Sequence, residues 1–110
     1  MALARPPKNS TSTAYEASRV VKAFGGQLYG LQGYNSKGTA QFIQIHDARS
    51  LPADTAVPVV TITVPTASNF SIDFGTYGRQ FQNGIVVCNS STGPTKTIGA
   101  ADCWFDVQFC

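Results

Sequence analysis

Charge is scarce in this chain. Charged residues make up 13% of its 110 positions, about half the usual share of a soluble protein. Gly, Ser, Thr, Asn and Gln fill the gap, so the surface is polar without being ionic. Such a surface is cheaper to desolvate than one carrying ions, which suits a protein that packs against neighbours. The net charge of +2 is too small to point to nucleic acid. No apolar run approaches the ~18 residues that span a bilayer, so no membrane partner is expected. The opening MALARPPKN holds no apolar signal core, and the chain reads as cytosolic at synthesis. Asn9, Asn69 and Asn89 each head an N-x-S or N-x-T triplet, which matters only in a secretory pathway.

Reactive groups are also few. Cys88, Cys103 and Cys110 form no C-x-x-C and have no histidine at zinc spacing; they read as reduced thiols acting as small hydrophobes. The single histidine, His46, precedes Asp47 on a strand, and neighbours on a strand point to opposite faces, which argues against a catalytic dyad. G-x-S-x-G, H-E-x-x-H, Walker and G-x-G-x-x-G patterns are all missing. The aspartates are scattered, none in calcium-loop spacing. The expectation is therefore no enzyme, no catalytic residue, no cofactor and no metal ligand. His46 reads as a polar residue where FIQIHD runs into solvent, with SLPAD as the turn after it and Asp54 capping that turn.

What the chain does have is alternation. Residues 1–14, MALARPPKNSTSTA, show no period and read as an extended basic and polar N-terminal arm. Residues 15–110 read as one domain, the commonest domain size. YEASRVVKAF is assigned to a strand. QLYGLQGYN and TAQFIQIHD, joined by SKG, suggest a hairpin, with Ile43 and Ile45 on one face and Phe42, Gln44 and His46 on the other. Val60, Ile62 and Val64, then Phe70, Ile72 and Phe74, mark two strands around PTASN, a second hairpin candidate. GTYGRQFQN reads as a corner. NGIVVCNSS is continuously apolar, as a strand buried on both faces would be. CWFDVQFC places Cys103, Phe105, Val107 and Phe109 on one face and Trp104, Asp106 and Gln108 on the other. No helix of ten residues fits after residue 26. Short strands at intervals of about ten residues, with Gly/Pro/Asn turns, predict an all-β antiparallel sandwich, jelly-roll or immunoglobulin-like. Periodicity does not choose between the two strand orders.

Charge placement singles out the first 24 residues, where Arg5, Lys8, Arg19 and Lys22 stand against Glu16. Arg5 and Lys8 could take the arm to an acidic neighbour. Tyr77 and Arg79, in the GTYGRQF corner, are the other candidates for a partner contact, since Tyr and Arg recur as binding anchors. Tyr29, Tyr34 and Trp104 could line a carbohydrate platform or a protein contact, or pack the sheet.

The succession FIQIHDARSLPADTAVPVV, SNFSIDFG, GIVVCNSST and TKTIGAADCWFDVQF resembles a group of small proteins of tailed-bacteriophage structural gene clusters, over about two thirds of the chain. The resemblance implies a β-sandwich virion component: a head decoration or cement protein on the capsid exterior. It further implies the major capsid protein as partner and self-association as a homo-oligomer, with a trimer favoured. The alternative is a tail, fibre or host-glycan-binding sandwich.

Overall fold

The computed structural model describes residues 7–110, which form nine strands and no helix. They are β1 (Lys8–Thr11), β2 (Ser18–Lys22), β3 (Gly26–Asn35), β4 (Gln41–His46), β5 (Val60–Val64), β6 (Ser68–Asp73), β7 (Arg79–Phe81), β8 (Ile85–Ser90) and β9 (Cys103–Phe109). One sheet runs β1-β9-β3-β6, with the short β7 also on β3; the other runs β2-β8-β4-β5. Every pairing is antiparallel. Leaving β7 aside, first pairs with last, second with second-last, and so on inward to β4 with β5. A long hairpin rolled into two sheets gives this order, so the sandwich is a jelly roll.

The inner faces meet as the alternation requires. Leu28, Leu31, Phe105 and Val107 come from one sheet and Ile43, Ile45, Ile85 and Val87 from the other, all at or near zero exposure. Each such side chain contributes about 1.5–3 kcal/mol through burial. Leu28 and Leu31 both face inward although three residues apart, because a register shift between Leu28 and Gly30 resets the period. Gly33 lies opposite Phe70 on one side and Phe105 on the other. A Cβ there would run into the Trp104 carbonyl oxygen and Phe70 Cζ. The missing side chain leaves room for the two rings, whose centroids are 6.2 Å apart.

Both hairpin expectations are overturned. β3 and β4 lie in different sheets, as do β5 and β6. The connections 36–40 and 65–67 are arches over the end of the sandwich, not turns within a sheet. Asn35, fully buried, ties the two arches together: its Nδ2 donates to the carbonyls of Thr39 and Pro65. Alternation reports that a strand has one wet and one dry face, but not which strand lies beside it.

The polar reading of His46 is also corrected, since it is 2% exposed. The segments 48–58 and 91–99 fold over the outer face of β4 and β8 and are joined to each other by Thr55 N to Lys96 O and Lys96 N to Ala56 O. β8 is consequently buried at all six positions, as its continuous apolar run predicts.

Of the segment expected to be an arm, residues 1–6 lie outside the described residues, Arg5 among them. Residues 8–11 form β1, paired with β9 from Lys8 opposite Phe109 to Thr11 opposite Asp106. Ser12 fixes the end of this strand: its N donates to Phe105 O, and its Oγ accepts from Phe105 N. The sequence KNST has no apolar period, yet it pairs, because an edge ladder uses backbone groups that every residue other than proline carries.

Candidate functional site

Three ion pairs form among the described residues: Arg19 with Glu16, Lys37 with Asp102 and Lys96 with Asp54. Lys8, Lys22, Arg49 and Arg79 take part in none of them, and the strand registers bring these four to one end of the sandwich. Lys8 opens β1 opposite Phe109; Lys22 closes β2 opposite Ile85; Arg79 opens β7 opposite Leu28 near the start of β3. Arg49 follows Ala48, whose carbonyl lies against Gly84 just ahead of β8.

The two most exposed aromatic side chains lie at the same end. Tyr77 is 86% exposed and Phe24 71%. Tyr77 rides on a turn closed by Gly78 N to Gly75 O, in which both glycines have positive φ, 82° and 71°; that backbone region favours glycine. Phe24 directly precedes Gly25 and Gly26 in the connection from β2 to β3. Between Phe81 and the two lysines Lys8 and Lys22 opens a groove of about 540 Å³, floored by Gly25 and Gly26, with no aspartate or glutamate in its wall.

Asp47 braces this end. Its Oδ1 accepts from Asn83 N at 2.8 Å and Gly84 N at 3.3 Å, and Oδ2 accepts from Gln82 N at 3.1 Å. Burial pushes its pKa up, but the three amides, aided by nearby Arg79, more than reverse that and hold it below the ordinary 3.8. The connection between β7 and β8 is thus tied to the exit of β4. Arg79 also stands over the Phe81 ring, 5.9 Å from its centroid.

Lys8, Tyr77 and Arg79, singled out from the sequence, therefore share one end. Lys22, Phe24 and Arg49 join them there and were not among the candidates: Lys22 had counted only toward the basic balance of the first 24 residues, and Phe24 is marked only as a large apolar residue in a turn outside any alternating run.

His46 and Asp47 are not brought together. While Asp47 holds the 82–84 amides, His46 Nε2 lies 3.2 Å from Gln44 Oε1. Gln44 Nε2 donates to the carbonyls of Thr92, Gly93 and Thr95, which fixes the amide's orientation and makes His46 Nε2 the protonated donor. Burial first and the Lys96 ammonium second hold the imidazole below its ordinary pKa of 6.5. Asp54 accepts from Lys96 Nζ and from Ile98 N, so it anchors the covering segment. Among the described residues no group of three His, Cys, Asp or Glu side chains is placed to hold a metal ion.

Among known proteins, no family model matches the chain and no curated protein matches it. Among solved structures, the coat protein of Tobacco streak virus is similar at 14% identity and a TM-score of 0.42, over 98% of this chain and 90% of that one.

Proposed function

We propose that this protein is a structural component of a virus particle, specifically a decoration or cement protein that seats its basic, aromatic end on neighbouring capsid subunits. The carrying observation is the concentration of four cations without ion pairs and the two most exposed aromatic rings at one end of a sandwich otherwise poor in charge. Aromatic and Arg side chains make anchors at interfaces, and unpaired cations select an acidic partner surface and speed the encounter. The tailed-phage resemblance of the sequence supports the same reading. Jelly rolls serve in both viral shells and lectins, so the fold alone does not choose the role.

In this reading the contact residues are Lys8, Tyr77 and Arg79, extended by Phe24 and Lys22 and, three residues before Lys8, by Arg5. Copies form a homo-oligomer, a trimer by preference, around local symmetry axes on the capsid exterior. Binding only to the assembled lattice draws the equilibrium away from disassembly. The test is attachment to purified capsids by co-sedimentation, with wild type beside Phe24→Ser/Tyr77→Ser/Arg79→Glu. Wild type should saturate at on the order of hundreds of copies per particle, as a lattice site demands. The triple variant should stay folded and fail to bind. Attachment unchanged in that variant, or a handful of copies at a single vertex, overturns the proposal.

A further inference from the structure

The outward face of the sheet β1-β9-β3-β6 differs in chemistry from the basic end. Its side chains fall in three rows across the strands. Asn69, Tyr34 and Trp104 lie side by side, then Ser71, Gln32 and Asp106, then Asp73, Gly30 and Gln108. The register shift at Leu28/Gly30 also turns Tyr29 to this side, where it borders the third row. Tyr29 and the Tyr34–Trp104 pair thus stand at opposite ends of a strip. Tyr34 lies four residue steps along β3 from Gly30, about 13 Å at ~3.3 Å per residue.

Between these aromatic ends the strip is hollow. A depression of about 310 Å³ is lined by Tyr29, Gly30, Gln32, Ser71, Asp73 and Gln108, with Pro7 at its rim. Gly30 is its floor: a Cβ there would come within 3.1 Å of Gln108 Oε1 and 3.3 Å of Gln32 Nε2. Gln32 Oε1 is shielded from solvent by its neighbours and receives no hydrogen bond from the described residues.

The charge of the face narrows what it can accept. Among the described residues, no lysine or arginine occupies an outward position of β1, β9, β3 or β6, whereas Asp73 and Asp106 do. Asp73 Oδ1 accepts from Gly75 N and Asp106 Oδ1 from Thr11 Oγ1; the second oxygen of each accepts nothing from the described residues. Phosphate, sulfate and uronate groups would be repelled. Two carboxylates and several amides instead offer acceptors for vicinal hydroxyls, and the Tyr and Trp rings offer apolar faces with polar edges. A neutral sugar has the matching pair of surfaces, hydroxyls around its rim and C–H bonds on its faces.

We infer that this face is a binding site for a neutral oligosaccharide: the chain runs along β3, its sugar rings lie on Tyr29 and on Tyr34 and Trp104, and its hydroxyls bond to Gln32, Asp73, Asp106 and Gln108. The site shares none of these groups with the basic end, and its test needs no capsid, so either proposal can fail without the other.

Trp104 is the chain's one tryptophan and reports on the site directly. The experiment screens the purified protein against a printed panel of neutral glycans, then titrates cellotetraose, maltotetraose, tetra-N-acetylchitotetraose and the panel's best binder, following Trp104 emission and calorimetry. Trigalacturonate is the anionic control. At least one neutral glycan should give a saturable emission shift at millimolar concentration or below, with none from trigalacturonate. Asp73→Asn/Asp106→Asn should weaken binding at least tenfold at an unchanged denaturation midpoint, while Arg79→Glu should leave it intact. Silence across the whole panel, an equal response to trigalacturonate, or unaltered affinity in the double variant overturns the inference. So does loss of acrylamide quenching of Trp104 on capsid-bound protein, which would give this face to a protein neighbour.

Discussion

Lys96 Nζ lies 2.6 Å from Asp54 Oδ1, and the two ends of this bond face different surroundings: the lysine side chain is 3% exposed and the aspartate 51%. The ammonium cannot be rehydrated without lifting the 91–99 segment off the sheet, so the carboxylate is its main compensation. Removing the partner of a buried charge is worse than removing both charges. Asp54→Ala should therefore lower the urea midpoint more than Lys96→Met does, and the pair of midpoints checks it. The Lys96 bond first and the Ile98 amide second hold Asp54 below the ordinary 3.8. Its contribution is accordingly complete above pH 3.8 and fades as pH falls through the lower folded value.

Acid should act earlier through His46. With the folded imidazole held below 6.5, the unfolded chain binds the proton more readily, so stability declines as pH falls below 6.5 until the folded value is passed. The groups facing the ring are Gln44 on its own strand and Lys96 on the covering segment. His46→Gln should flatten the dependence between pH 7 and pH 5, measured by chemical denaturation at each pH, and leave the fall below pH 3.8 in place. A slope unchanged in the variant would show that another group is responsible.

Thiol chemistry should divide the three cysteines. Burial pushes the Cys88 thiol up to about 11 and Cys103 to about 12, and both side chains are fully buried, while Cys110 is partly exposed. Iodoacetamide at pH 8 should add one alkyl group to the native protein, at Cys110, and three after denaturation, as intact mass will show. Native labelling of Cys88 or Cys103 at a rate comparable to Cys110 would contradict the burial.

Two glycines make a paired test of the core. Gly33→Ala places a methyl against the Trp104 carbonyl and the Phe70 ring, whereas a Cβ on Gly38 meets nothing within 4 Å. Overpacking of this kind costs about 1–3 kcal/mol or more. Gly33→Ala should thus drop the midpoint or prevent soluble expression, and Gly38→Ala should melt like wild type.

The inward residues were legible in the sequence wherever alternation is clean: Ile43 and Ile45, Phe105 and Val107, and the unbroken run of β8 that is covered on both sides. The jelly-roll order was not, because pairings such as Lys8 with Phe109 join segments about a hundred residues apart, and a period-2 pattern carries no record of its partner. His46 was misread for a related reason. What dries it is a segment nearly fifty residues downstream, gripped by Gln44. In the basic end, Lys8, Tyr77 and Arg79 were visible as residue types, but their convergence with Lys22, Phe24 and Arg49 is a product of topology alone.

Among the described residues only one pair of consecutive strands, β4 and β5, is hydrogen-bonded together. The rest of the rolled hairpin can add pairings only by closing ever larger loops, ending with β1 on β9. Such high contact order implies folding in roughly milliseconds to seconds rather than microseconds. It also means that neither sheet can be assembled from a contiguous stretch of chain: the molecule matures as a single cooperative unit, and a nascent chain stays incomplete until its final strand has been made.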